Sequence, residues 1–208
     1  MTCLKKTYNH REDIDMNIFI LDKDPVISAQ MQCDKHIVKM PLESAQMLCS
    51  VWHRYGSGDR VPLTLGGTPY KEAHKNHPCT LWAGDDAYNY DWLWQHGMEL
   101  CFEYTRRYNN IHKCQSVIMD LTIDNVGFAF EHMSRQGTPH PLCMPDVHKE
   151  EDNAVLSYRR YYANDKKDIA KWEKTRPMPD WYANGAYKID VDFDIMNKEF
   201  ANLGAYDE

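Results

Sequence analysis

The chain reads as mainly α: a single compact helical domain with long loops and a short extended N-terminal segment. Three features predict this. Long stretches place residues of like character at steps of three and four, the period of an α-helix. Helix-start signals, Asp24-Pro25 and Asp85-Asp86, precede such stretches, and Gly and Pro clusters follow them. At 208 residues the chain has the length of one domain, without an internal repeat.

The elements follow in order. Asn17-Ile-Phe-Ile-Leu21 is an apolar strand or extended segment. Asp24 caps a helical region that runs to about Tyr55, with Pro25 in its first turn. Pro41 predicts a kink or restart within it, because proline lacks the N–H and clashes with the preceding turn. Gly56-Ser-Gly58 ends this region, and a Gly-, Pro- and Thr-rich loop extends to Tyr70. A short segment, Lys71–His77, stops at Pro78. Asp85 or Asp86 caps a helix over Ala87–Tyr108, with Leu93, Leu100, Cys101 and Tyr104 as candidates for its buried side. Further helices are expected over Ile118–Ser134 and about Asn153–Thr175, separated by an extended Thr138–Pro145 loop. Arg176-Pro-Met-Pro179 closes the last helix, and an aromatic finish begins at Asp180-Trp181-Tyr182. These boundaries divide the chain into an N-terminal extension (1–15), a helical domain (16–189) and an acidic tail (190–208).

Composition narrows the function classes. The chain is too charged and aromatic to be disordered, and its apolar runs fall short of the ~20 residues of a membrane helix. No apolar signal core follows Met1, and the seven cysteines contain no C-x-x-C pair. They read as reduced thiols, and a cytoplasmic location is expected, in the host if the protein is phage-encoded. The net charge of −7 argues against a generic nucleic-acid binder. Much of that excess lies in the tail, however. The domain itself carries the basic clusters Arg106-Arg107, His112-Lys113, Arg159-Arg160 and Lys166-Lys167, which could hold phosphates.

Two mixed polar stripes carry the candidate chemistry. In Asp34–His53, the residues Glu43, Gln46, Ser50 and His53 share one face, with His36 and Lys39 just before Pro41. A polar stripe is usually the wet side of a helix. This one is narrow, mixes His, Gln, Ser and single charges, and has apolar flanks at Met47, Val51 and Tyr55, which suits a cleft lining better. The second stripe is Asn89, Trp92, His96, Glu99, Glu103 and Arg107. The two are expected to face each other across one pocket. There is no G-x-S-x-G, P-loop or G-x-G-x-x-G. His74 and His77 are a weak ligand pair, and His77 could equally cap the turn before Pro78; no metal or cofactor is expected. The many Tyr and Trp residues could stack bases or fill the core.

With those residues in view, the chain resembles the phage-type pyrimidine-dimer DNA glycosylases, the endonuclease V family of ultraviolet repair. The likeness rests on the order of short pieces across Met16–Lys188. These are the charged segment around a proline from Asp34 to Gln46, then His77-Pro78 leading to Tyr90-Asp91-Trp92-Leu93 and Glu103-Tyr104. Arg176-Pro177, Trp181-Tyr182, Gly185 and Tyr187 complete the order. The chain is also similar to phage proteins with a Cys-Asp-Lys-His…Lys-Met…Glu…Gln segment. The resemblance implies a compact α domain that extrudes a base and cleaves its glycosidic bond, using the amine of the mature N-terminus and a helix-borne glutamate. Two positions differ. Matching the prolines puts Lys39 where that glutamate would fall, with Glu43 one turn on. Thr2 lies fifteen residues ahead of the segment that should follow the nucleophile, and a start at Met16 would put Asn17 next.

The expectation is therefore an N-glycosidic-bond-cleaving enzyme acting on DNA or a nucleotide. Glu43 would stabilise the oxocarbenium-like sugar or activate water, and Lys39 would be a Schiff-base amine or a phosphate clamp. His36 and Gln46 would position base or water. Asn89, Glu103, Arg107, His112, Arg159 and Tyr162 are the candidate substrate-binding residues. Alternatives are a non-catalytic phage binding protein on the same scaffold, or a metal-dependent hydrolase built on His36, Glu43, His74 and His77.

Overall fold

Residues Met16–Leu21 enter the core extended, yet among the described residues they pair with no strand, and side chains take up their backbone groups instead. The computed structural model describes residues 16–56, 62–126 and 135–188, and shows how this happens. Asn17 N donates to Glu43 (2.8 Å), Ile18 N to Asn17 Oδ1 (2.9 Å) and Leu21 N to Ser28 Oγ (2.9 Å). Gln32 Nε2 donates to Ile18 O (2.9 Å), and Arg159 Nε donates to Leu21 O (2.9 Å). Phe19 sits at φ 56°, a left-handed conformation unusual for a bulky residue, and stacks on His36 with ring centroids 4.3 Å apart. The segment is an apolar thread in a polar clasp.

Among the described residues, eight α-helices pack around it or flank it. Asp24 caps α1 (Pro25–Gln30) as expected, accepting from Val26 N and Ile27 N. α2 (Asp34–Tyr55) then runs continuously through Pro41, so the predicted restart does not occur there. The break falls at Met31–Cys33 instead, because tertiary partners take the backbone groups that it frees. Trp172 Nε1 donates to Met31 O (3.1 Å), Arg107 donates to Gln30 O and Gln32 O, and Cys33 N donates to the Tyr162 hydroxyl (3.0 Å). The Val38 carbonyl, next to the one that Pro41 cannot serve, accepts from His112 Nε2 (3.2 Å).

His77 caps α3 (Pro78–Asp85), and Asp86 caps α4 (Ala87–Tyr108), whose far end closes on Asn109 in a left-handed conformation. The antiparallel pair α2 and α4 forms the centre, with α1 across α4 and α3 against both. The predicted 118–134 helix is replaced by α5 (Gln115–Asp120) and α6 (Ile123–Val126). The carbonyls of Ile118 and Leu121 accept from Trp94 Nε1 (2.8 Å) and the Tyr90 hydroxyl (2.9 Å), and the helix breaks at Leu121–Thr122. Its remainder, 127–134, lies outside the described residues, as do the expected extension 1–15, the Ser57–Gly58 stop and the tail 190–208.

The loop around Thr138 is extended as expected and pinned to Asn89. α7 (Ala154–Asn164) ends eleven residues before its predicted limit of Thr175. The chain instead turns back to the start of α2: Asp34 N donates to Lys171 O (2.9 Å) and Glu173 N to Asp34 Oδ2 (2.7 Å). A one-turn helix, α8 (Asp180–Ala183), carries Trp181 against Arg159. Among the described residues there is no strand, only a Leu63–Pro69 bridge, and no helix is long and apolar enough to cross a membrane.

Tyr162 joins α7 to α2. Its hydroxyl accepts from Cys33 N (3.0 Å) and lies 2.6 Å from His36 Nδ1, within hydrogen-bond reach of both. Burial, then the charges of Lys166 and Lys39, lower the His36 pKa to about 3, and the ring is neutral at ordinary pH. Tyr162→Phe strands both partners. It should cost about 1–3 kcal/mol in urea unfolding; an unchanged midpoint would show that neither bond stabilises the fold.

Candidate active site

Helical spacing puts Glu43 one turn beyond Lys39 and facing inward. Lys39 Nζ lies 2.9 Å from Glu43 Oε1, with the lysine side chain 50% exposed and the glutamate 6%. The other carboxylate oxygen, Oε2, accepts from the backbone nitrogen of Asn17 (2.8 Å). A buried carboxylate needs such partners, since desolvation without them is prohibitive. The result is a shielded carboxylate between two nitrogens, one of which reaches the surface on a flexible stem.

Asn17 builds the wall beside it. The residue is fully buried, and its Nδ2 donates to the Cys143 carbonyl (2.7 Å) while Oδ1 holds Ile18 N. This brings the 138–145 loop against the start of α3. There Cys79 Sγ and Cys143 Sγ stand 3.6 Å apart, and Thr80 Oγ1 lies 4.0 Å from Met16 Sδ. Burial pushes the Cys79 thiol well up, and the hydrogen bond to Cys143 and the charge of Glu43 act the same way. Cys143 is held below the usual thiol range, chiefly by accepting from Cys79. Sequence reading passed over Asn17, Cys79 and Cys143. The His-Pro-Cys step at 77–79 was the one local signal.

Gln46 follows Glu43 by three residues and is half-buried. The rest of the α2 stripe serves the loop before α3 and not a cleft. Ser50 Oγ donates to Ala73 O (2.7 Å), His53 Nε2 lies 2.7 Å from Tyr70 O, and Arg54 donates to Lys75 O. His36 is engaged by Phe19 and Tyr162, as described.

The α4 stripe faces inward, but it binds protein. Asn89 holds Trp82 O and Thr138, and Trp92 Nε1 donates to Lys23 O (2.8 Å). Glu103 is surrounded by Arg106, Arg107 and Arg176, while Arg107 also reaches Gln30 O, Gln32 O and Asp34. The Arg107 side chain is 0% exposed, so no phosphate touches it in this form. The expected single pocket joining His36, Lys39 and Glu43 to Glu103 and Arg107 is not formed: the α4 stripe is bonded largely to Met16–Cys33, and the later α2 stripe to the loop before α3. Arg159 is spent on Leu21 O, Asp22 and the rings of Trp181 and Tyr187. Tyr162 is fully buried, so a base cannot stack on it. His112 supports α2 at Val38, and burial lowers its pKa. A separate groove of about 390 Å³, lined by Asp34, Lys35, Val38, Tyr108, Lys171 and Lys174 among others, includes neither Lys39 nor Glu43.

Among the described residues, His36, Glu43, His74 and His77 do not converge as one group of metal donors. Among the described residues, the donors that converge are His77, Cys79 and Cys143, all within 4.8 Å of one another. His74 is exposed, at φ 52°, with its carbonyl accepting from His77 N.

A family model described as "Pyrimidine dimer DNA glycosylase" matches residues 16–116, from the buried extended segment through α4 into α5. Over that stretch the chain is similar to a family of DNA glycosylases. No curated protein and no solved structure matches the chain.

Proposed function

We propose that this protein cleaves the N-glycosidic bond of a damaged pyrimidine nucleotide in DNA, with Glu43 at the centre of the reaction and Lys39 as its amine. The observation that supports this reading is the buried carboxylate held between Lys39 Nζ at 2.9 Å and the Asn17 nitrogen at 2.8 Å. The similarity to a glycosylase family over the residues that build this contact supplies the substrate class.

The chemistry follows from the placement. As an ammonium, Lys39 has no lone pair, and Glu43 Oε1 is positioned to take its proton. The free amine attacks C1′, the C1′–N bond breaks with its electron pair, and the departing base takes up the proton held by Glu43. Transfer of one proton from the attached nitrogen to the ring oxygen, as the sugar C–O bond opens, then leaves a protonated imine on Lys39. Once it has given up its proton, Glu43 is again a carboxylate and stabilises positive charge on the sugar, as in glycoside cleavage. The Asn17 nitrogen offers a second route. In this chain it is an amide, acylated by Met16; in a form beginning at residue 17 it would be an α-amine at the same carboxylate. The family match begins at Met16.

Borohydride trapping on ultraviolet-irradiated duplex DNA tests the assignment. The 208-residue protein should cleave the glycosidic bond, read as alkali-labile strand scission at the base-less sugar, and form a covalent adduct, and Lys39→Ala should lose that adduct. An adduct that persists in Lys39→Ala and maps to an N-terminal peptide moves the nucleophile to an α-amine. Absence of alkali-labile sites after treatment with the intact protein sinks the reading. Duplex affinity should also fall steeply with salt, as phosphate contacts demand.

A further inference from the structure

We infer that His77, Cys79 and Cys143 form a binding site for a zinc-like divalent cation, joined to the buried Glu43 carboxylate through Asn17. This does not depend on the glycosylase reading, since it rests on the donor set and its geometry alone.

Two thiolates and an imidazole are the donors that zinc prefers, and three protein ligands are the number found where zinc keeps a position for solvent or substrate. Tetrahedral zinc with bonds of about 2.3 Å holds two sulfurs ~3.8 Å apart. Cys79 Sγ and Cys143 Sγ are already 3.6 Å apart, and the His77 ring nitrogen completes a group within 4.8 Å. A disulfide would require the sulfurs to approach to about 2.05 Å.

The fold sets this geometry without a metal. His77 and Cys79 are fixed in the first turn of α3, where His77 Nδ1 accepts from Cys79 N at 3.2 Å. Coordination through Nδ1 would replace that long cap bond with a stronger interaction. Cys143 comes from a loop 64 residues away, yet it is held from two sides: Asn17 Nδ2 donates to its carbonyl (2.7 Å), and its N–H reaches the Tyr158 hydroxyl (3.4 Å). His77 and Cys79 are buried and Cys143 is partly so, which shelters the site from competing water. A cation here would lock the 138–145 loop onto α3. Asn17 would transmit that constraint, because its backbone nitrogen is the one on Glu43.

The probe is Co²⁺ added to the fully reduced, metal-stripped, full-length protein. One equivalent should bind with thiolate-to-cobalt charge-transfer absorption and the intense visible bands of a tetrahedral site. Zinc should displace it at equal stoichiometry, read by native mass spectrometry. Cys143→Ser is the mildest variant, since that residue is partly exposed; it and Cys79→Ser should each weaken binding at least about 100-fold. Cys114→Ser should leave the spectrum intact, with circular dichroism checking each variant's fold. The proposal is overturned if reduced wild-type protein shows no charge-transfer band. It is equally overturned if the band survives both substitutions, or if the two cysteines are recovered as a disulfide and the reduced protein takes up no metal. None of these readouts uses base excision, so failure here leaves the glycosylase proposal standing, and the reverse.

Discussion

Glu43→Gln should slow base excision by about 10²–10⁴-fold, the usual contribution of a positioned acid–base group, while leaving the fold in place. Glutamine keeps the size of the side chain, and its amide oxygen can still accept from Asn17 N, so the buried extended segment stays anchored. What it loses is the charge and the basicity. The amide cannot take the Lys39 proton, nor can it stabilise a cationic sugar. Glu43→Ala is the less informative change, because it leaves the Asn17 N–H buried and unpaired and so mixes catalysis with stability. The contact between Lys39 and Glu43 contributes little to stability itself, as the lysine is half exposed. Single-turnover formation of alkali-labile sites in irradiated duplex, measured beside the melting temperature, separates the two effects. Full activity in Glu43→Gln would remove the carboxylate from the mechanism.

The parts of the molecule governed by neighbours in sequence were legible. Asp24 with Pro25 and Asp86 before α4 are capping decisions made within three residues, and both are found in place, whereas α3, which His77 caps beyond Pro78, was not expected. Periodicity also identified which polar residues share a face on α2 and on α4. It could not say what covers that face. The α4 stripe faces inward, but onto the Met16–Cys33 segment, whose unpaired backbone needs those donors and acceptors. For the same reason, the break at Met31–Cys33 and the early end of α7 depend on Trp172, Tyr162 and Asp34, partners far away in sequence. The site shows the same division. Lys39 and Glu43 are one helical turn apart and were readable as a pair; Asn17 is 26 residues from Glu43, and Cys143 is 64 from Cys79. No local pattern encodes those meetings. His36 looked like a catalytic histidine and is a buried neutral ring locked by Tyr162, because a residue type alone does not reveal its surroundings.

Glu103→Ala should be the most damaging of the single substitutions considered for stability, at about 3–5 kcal/mol, the range for removing one partner of a buried ion pair. Its side chain is fully buried, and it accepts from Arg106, from Arg107 Nε (3.1 Å) and from Arg176 Nη2 (2.8 Å). Removing it leaves Arg107, itself 0% exposed, as a buried charge with Asp34 as its remaining carboxylate partner among the described residues. That guanidinium also ties α4 to Gln30 O and Gln32 O, the junction between α1 and α2, so the loss should spread to both helices. Acid should reveal the same network in the unaltered protein. Burial by itself would raise the Glu103 pKa, but hydrogen bonds from Arg176 and Arg106 and the charge of Arg107 outweigh it, and the net shift is downward. A carboxylate with a lowered folded-state pKa contributes stability that is complete above its unfolded value and is lost as pH falls through the folded one. Melting temperature should therefore decline as pH drops below the ordinary carboxylate range, and this part of the decline should be absent from Glu103→Ala, which starts lower. Parallel acid profiles for the two proteins would mean that the cluster of three arginines is not what the carboxylate stabilises.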